Sequence, residues 1–108
     1  MTVSQSDGIT TVFLDGSIDG KTAPLIREEL RPVLETAEKV ILDLTAVVYL
    51  SSAGLRLLLL VYREFAARKR SLVLLGISED IRKVMEHTGF LSFFKIATSS
   101  EEAVKLLG

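Results

Sequence analysis

The chain has 108 residues, of which 48% are apolar and 25% charged, proportions that are ordinary for a single globular domain spanning residues 1–108. Its net charge of -1 gives no strong field toward nucleic acid or an anionic membrane, so neither is expected as a direct partner. The absence of cysteine excludes disulfides, thiol catalysis and cysteine-ligated zinc, and it fits a cytoplasmic location.

The N-terminal residues predict a β-hairpin followed by a loop. Ile9–Leu14 is β-branched and aromatic, as is typical of a strand. The turn signal Asp7-Gly8 just before it makes residues 1–5 the first arm of the hairpin. Residues 15–20 are rich in turn formers, and we expect them to form a loop.

A helix and a buried strand are predicted next. Thr22 is the expected N-cap of a helix that ends near Ala37, and Pro32 should kink or break it. The apolar stripe of this helix, at helical spacing, consists of Leu25, Ile26, Leu30, Val33 and Leu34. Val40–Leu44 then reads as a buried strand followed by a short loop.

The second half of the chain continues the alternation of helices and strands. Ala53–Lys69 predicts a helix that is apolar over much of its circumference, and hence covered from more than one side. The elements expected after it are a strand at 72–75, a helix from the cap Ser78 to about Thr88, a strand at 93–97 and a helix capped by Ser99. This order indicates an α/β fold. We expect a mixed sheet of four to five strands, largely parallel inside, packed with about four helices.

Two serines, Ser51 and Ser52, open the second predicted helix. One interpretation is an N-cap, in which a side-chain oxygen accepts a backbone N–H and contributes about 1 kcal/mol. The other is phosphorylation, because a helix N-terminus tolerates the added charge of about -1.5 to -2. One serine can cap the helix while the other is modified.

Several short motifs, taken in their order and spacing, resemble the STAS domain of bacterial anti-sigma factor antagonists. They are Asp15-Gly16-Ser17-Ile18-Asp19 with Thr22-Ala23-Pro24-Leu25, then Leu42–Thr45 with Val48–Leu55, and finally Arg82–Phe94. The resemblance implies that the protein binds an anti-sigma factor that is also a serine kinase, and so releases a sigma factor. It further implies that the kinase switches the antagonist off by phosphorylating a serine at the start of the second helix, and that a phosphatase reverses this.

The chain departs from the commonest family motif at the site itself. Family members often have Asp-Ser-Ser-Gly, with the acceptor serine just before the glycine, whereas this chain has Ser51-Ser52-Ala53-Gly54. The acceptor is therefore Ser52, or Ser51 as the alternative, or it is absent. The partner-binding residues carried over with the resemblance are Asp19, Ser51, Ser52, Ala53, Gly54 and Arg56.

Three further residues near these motifs admit more than one interpretation. The lack of a side chain at Gly54 allows either the close approach of a partner or tight packing of the helix on a strand. Asp43, at the end of a predicted strand, could orient the serine segment by hydrogen bonding. His87, the single histidine, fits compensation of a helix dipole better than catalysis or metal binding.

The motifs that the chain lacks argue against an enzyme. It has no Gly-Lys-Ser/Thr phosphate loop, no dinucleotide-binding glycine fingerprint, no Gly-x-Ser-x-Gly elbow and no histidine–cysteine cluster, so we expect no catalytic residue, cofactor or metal. The leading hypothesis is a binding switch. The alternatives are a non-phosphorylated STAS adaptor in a transporter or signalling assembly and, less favoured, a receiver-like domain or small enzyme. Whether the domain forms a weak homodimer stays open.

Overall fold

A five-stranded mixed sheet forms the centre of the fold in the computed structural model, which describes residues 1–108. The strands, which lie in sequence order across the sheet, are β1 (Thr2–Ser6), β2 (Ile9–Ile18), β3 (Lys39–Leu50), β4 (Ser71–Leu75) and β5 (Lys95–Ala97). β1 pairs antiparallel with β2, and every other neighbouring pair is parallel. The predicted α/β class and mixed sheet are confirmed.

Four α-helices pack on this sheet, as predicted. They are α1 (Ala23–Thr36), α2 (Ser52–Ala67), α3 (Glu79–His87) and α4 (Ser100–Leu106). The expected caps of the last two are confirmed, because the hydroxyls of Ser78 and Ser99 accept backbone N–H groups in the first turns of α3 and α4. No helix combines the length and the apolar content that crossing a bilayer requires.

The predicted hairpin between β1 and β2 is confirmed, and its turn has the expected chemistry. Asp7 and Gly8 both adopt positive φ, 53° and 78°, as a two-residue type I′ turn requires. The turn places Ser6 opposite Ile9 and so sets the register of the hairpin.

Two predicted loops are in fact the second halves of β2 and β3. β2 continues to Ile18 through residues 15–18, and β3 continues past Leu44 to Leu50. β2 and β3 stay paired through this stretch, with shifts of register between Phe13 and Asp15 and between Gly16 and Ser17. Gly16 allows one of these irregularities because glycine readily adopts its φ of 71°. Val47 and Leu50 anchor the extension of β3, because both side chains are buried in the main core.

Two smaller expectations are also corrected. Helix α1 runs without a break through Pro32, which lies on its exposed side, where the loss of one backbone hydrogen bond leaves the packed face intact. The last strand begins at Lys95 rather than at residue 93, because Leu91–Phe93 forms a 3₁₀ turn first.

The helices divide unequally between the two faces of the sheet. The main core, of 21 buried residues, includes side chains from α1, α2 and α3 on one face. A second cluster of six, which includes Ala103 and Leu107 around α4, lies apart from it. Helix α2 is covered from two sides, as predicted: Leu58 and Phe65 are almost fully buried, and Leu57 is also buried.

Two arginines tie the end of α2 to the end of α1. The guanidinium of Arg68 donates to the carbonyl of Leu34 at 2.7 Å, and that of Arg70 donates to Leu34 and Ala37 at 3.1 and 3.2 Å. These bonds satisfy carbonyls that the C-terminus of α1 leaves unpaired. They brace the two helices that frame the candidate site.

Candidate functional site

The C-terminal ends of strands β2 and β3 meet the start of helix α2. The backbone N–H of Ser51 donates to the carbonyl of Ile18 at 2.9 Å, so the serine segment is bonded directly to the end of β2. Ser51 is extended, with ψ at 176°, and its carbonyl accepts the N–H of Leu55 as the first bond of α2. β3 therefore leads into α2 with no loop of its own, and the serines sit on a rigid junction.

The two serines have different environments. Ser51 is partly buried, and its hydroxyl accepts the N–H of Gly54 at 3.3 Å, so it is the N-cap of α2. Ser52 is the first residue of the helix, is exposed, and makes no side-chain hydrogen bond. The sequence left open which serine caps the helix, and the geometry assigns that role to Ser51.

Gly54 is buried where α2 presses against the end of β2. A Cβ at this position would lie 2.5 Å from the carbonyl oxygen of Ile18 and 2.6 Å from the Cδ1 of Leu50. Both distances are far below van der Waals contact. Of the two interpretations of this glycine, the structure supports tight packing of the helix on the strand.

Asp19 organises the turn between β2 and α1. Its Oδ1 accepts the backbone N–H groups of Lys21 at 2.9 Å and Thr22 at 3.0 Å. The Thr22 hydroxyl accepts the N–H of Asp19 and donates to the carbonyl of Ser17. Thr22 thus holds the expected N-cap position, but its side chain bonds back to the turn and not to an N–H of the helix, which corrects that prediction.

The same bonds make the ionised form of Asp19 the favoured one. The backbone N–H of Thr22, and then that of Lys21, hold the pKa of the Asp19 carboxyl below its ordinary value of 3.8. Asp19 directly follows Ile18, whose carbonyl accepts the N–H of Ser51, so the turn that Asp19 organises is one residue from the contact between β2 and the serines.

We expect the substitution Asp19→Asn to lower stability at neutral pH. A depressed pKa in the folded state contributes stability above the ordinary pKa of 3.8, and that contribution is lost as the pH falls through the lower folded value. The difference in urea midpoint between the native chain and Asp19→Asn should therefore shrink as the pH is lowered below 3.8. Asp15→Asn is the control, because the Asp15 side chain is exposed and makes no hydrogen bond. Equal effects of the two substitutions at neutral pH would contradict the prediction.

Asp43 does not orient the serine segment, and that prediction is wrong. Its Oδ1 accepts the N–H of Thr45 at 3.0 Å and the Thr45 hydroxyl at 2.6 Å. β3 continues to Leu50, and the stretch from Asp43 to Leu50 runs alongside the five residue steps from Phe13 to Ile18, which span about 17 Å of strand. The carboxylate is therefore far from the serines.

The remaining predicted residues lie together on the first turns of α2. Ala53 is partly exposed, and Arg56 is exposed one helical turn after Ser52, at the i+4 position. Sequence reasoning missed the large apolar exposure next to them, where Val48 is 77% and Tyr49 56% exposed at the end of β3. Exposed apolar side chains beside a rigid polar turn are suited to contact with a protein partner.

The sequence model of the STAS domain matches residues 1–103. The chain belongs to the STAS family. The Bordetella bronchiseptica protein BtrV is 36% identical to it over 104 residues, covering 95% of this chain and 90% of that protein. The anti-sigma-B factor antagonist of Listeria monocytogenes is 34% identical over 87 residues, covering 79% of this chain and 75% of that protein.

Solved structures share the fold of this STAS domain. The phosphorylated form of the Bacillus cell fate determinant SpoIIAA superposes with a TM-score of 0.74 at 21% identity, covering 96% of each chain. The family resemblance drawn from the sequence is thus confirmed, and so is the fold. In this STAS domain no three His, Asp or Glu side chains come together as metal ligands.

Proposed function

We propose that this STAS domain is an anti-sigma factor antagonist that binds a serine-kinase anti-sigma factor in the cytoplasm and is switched off by phosphorylation of Ser52. The observation that carries the proposal is the division between the two serines. Ser51 is occupied as the cap of α2, whereas the Ser52 hydroxyl is exposed and unbonded. The relative named as an anti-sigma-B factor antagonist supports the class of partner.

The switch needs only a local change of charge. A phosphate on Ser52 adds about -1.5 to -2 charge at the N-terminus of α2, where the unpaired N–H groups and the helix dipole favour an anion. The unmodified surface offers a neutral hydroxyl at Ser52 and the exposed Val48 and Tyr49 in the last residues of β3, which lead into the serines. Covering a dianion with a partner surface would carry a desolvation penalty, so the phosphorylated form releases the partner.

This cycle requires no catalytic group in the antagonist itself. The kinase supplies the phosphate, and a separate phosphatase removes it and restores binding. The unmodified antagonist occupies the anti-sigma factor and leaves the sigma factor free, so the phosphorylated fraction sets how much sigma factor is available.

Intact-protein mass spectrometry tests the acceptor. We expect one phosphate on the native chain after incubation with ATP and the anti-sigma factor kinase captured from its host. Ser52→Ala should abolish this mass gain. Ser51→Ala should retain it, although the loss of the cap should lower the free energy of unfolding by about 1 kcal/mol.

Binding measurements with the same kinase complete the test. Ser52→Asp should weaken the complex, and Ser52→Ala should bind as the native chain does. If no phosphate is gained and both variants bind normally, the switch is refuted and a constitutive adaptor role replaces it. A phosphate found on Ser51 would overturn the assignment of the acceptor alone.

A further inference from the structure

An open groove of about 650 Å³ runs between α1 and α2 and reaches the serine segment. Its apolar lining includes Ala53, Leu57 and Leu60 of α2. Ala53 directly follows Ser52, so one end of the groove lies at the proposed phosphorylation site. The groove therefore offers a surface that a partner held at the serines would also cover.

The charged side chains along this groove are predominantly cationic. Arg27 and Arg31 of α1 line it together with Arg56 of α2, and the one acidic lining residue is Glu28. Glu28 is already paired with Arg31 at 2.8 Å, whereas Arg27 and Arg56 take part in no salt bridge. Two unpaired guanidiniums thus stand over an apolar lining, in a chain whose net charge is -1.

We propose that this groove docks an acidic amphipathic segment of the protein partner, with Arg27 and Arg56 binding its carboxylates and the partly exposed Ala53 and Leu60 contacting its apolar side. Arginine suits this role because its planar guanidinium can bind a carboxylate through two parallel hydrogen bonds. The leucine lining favours a peptide over a nucleic acid, whose backbone would present only phosphate and sugar to it. Charge complementarity of this kind mainly sets specificity and the rate of association.

The groove and the serine are coupled by their position. Arg56 lies at i+4 from Ser52, on the same side of α2. A phosphate on Ser52 would neutralise Arg56 and repel the carboxylates of a docked segment, so one modification would weaken both contacts. This coupling rests on the proposed function, whereas the docking of an acidic segment does not.

A defined peptide probe tests the docking. We would use a fluorescein-labelled 14-residue peptide with leucines at helical spacing and glutamates elsewhere, which would be about 21 Å long when it binds as a helix. Its counterpart has lysines in place of the glutamates. The acidic peptide should bind, more weakly as salt is raised, and should shift the backbone NMR signals of Arg27, Arg56 and Leu60. The lysine peptide should not.

Reversing one charge at a time then tests whether the acidic peptide binds in the groove or elsewhere on the surface. Arg56→Glu should weaken binding of the acidic peptide by about fivefold or more, because it replaces an attraction with a repulsion. Lys83→Glu on α3 makes the same change of charge at an exposed site outside the groove and should have little effect. Arg56→Gln, with a smaller loss, covers the case in which Arg56→Glu fails to fold.

Each outcome bears on the inference. Equal binding of the two peptides, equal losses in Arg56→Glu and Lys83→Glu, NMR shifts away from the groove, or tighter binding of a short DNA duplex would overturn it. Phosphoserine installed at position 52 during translation should weaken binding of the acidic peptide. If it does not, the coupling fails while the docking stands, and phosphorylation by the kinase remains a separate test.

Discussion

Replacing Gly54 with alanine is expected to lower the free energy of unfolding by about 2 kcal/mol. Forcing an extra methyl group into a packed core costs up to about 3 kcal/mol, and alanine returns about 1 kcal/mol through its better helix propensity. The new Cβ would lie 2.5 Å from the Ile18 carbonyl oxygen, a backbone atom that is held by its hydrogen bond to Ser51. Relief therefore requires α2 to move away from β2, which would also displace the serines.

Gly20→Ala is the matched control for this substitution. A Cβ at Gly20 meets no atom within 4 Å, and its φ is not in the left-handed region. We expect its stability to stay within about 0.5 kcal/mol of the native chain. Urea denaturation followed by circular dichroism measures both variants, and similar midpoints for the two would show that the contact of Gly54 with Ile18 is not limiting.

The second large effect is expected for Leu58→Ala, at about 3 kcal/mol. Leu58 is 1% exposed in the main core, and truncating such a leucine removes its transfer free energy and leaves a cavity. Leu58 belongs to α2, so the substitution should weaken the helix that carries Ser52 without touching the exposed site. Its unfolding midpoint in urea should fall with little change in the slope of the transition.

Leu25→Ala makes the same chemical change on the surface of α1. Leu25 is 66% exposed, although the sequence placed it in the apolar stripe of its helix, and its truncation should shift stability by about 0.5 kcal/mol or less. A loss at Leu25 as large as that at Leu58 would contradict the packing described above.

The elements predicted correctly from the sequence are those whose signals are local. The turn at Asp7-Gly8 needs only two residues that accept positive φ. The caps at Ser78 and Ser99 each need one hydroxyl within reach of an N–H three residues later. Such features depend on a few neighbouring residues, so the sequence alone is enough to place them.

The predictions that failed depend on partners distant in the chain. Residues 15–18 contain turn formers, yet they are strand because β3 pairs alongside them and Gly16 absorbs the irregularity. Asp43 is predicted near a strand end because Thr45 interrupts the apolar sequence after Leu44. Pairing with β2 carries β3 on to Leu50 and takes the serines away from that carboxylate.

The sequence alone located the candidate site, but it did not determine which serine caps α2 or which neighbouring side chains are exposed. The motif places Ser51 and Ser52 at the start of α2, while the choice of cap depends on which hydroxyl faces the N–H of Gly54. That orientation follows from the bond between Ser51 and Ile18, more than thirty residues apart in the chain. The exposure of Val48 and Tyr49 was missed because it requires knowing which face of a longer β3 they occupy.

The direct junction of β3 and α2 also bears on how a partner meets the serines. Ser52 belongs to a helix that is capped by Ser51, and Ser51 is hydrogen-bonded to β2, so this surface is already formed before a partner binds. Binding then requires little ordering of the backbone on this side, so the conformational part of the entropic penalty of association is small. A surface of this kind can exchange partners quickly, because neither capture nor release has to wait for the chain to refold.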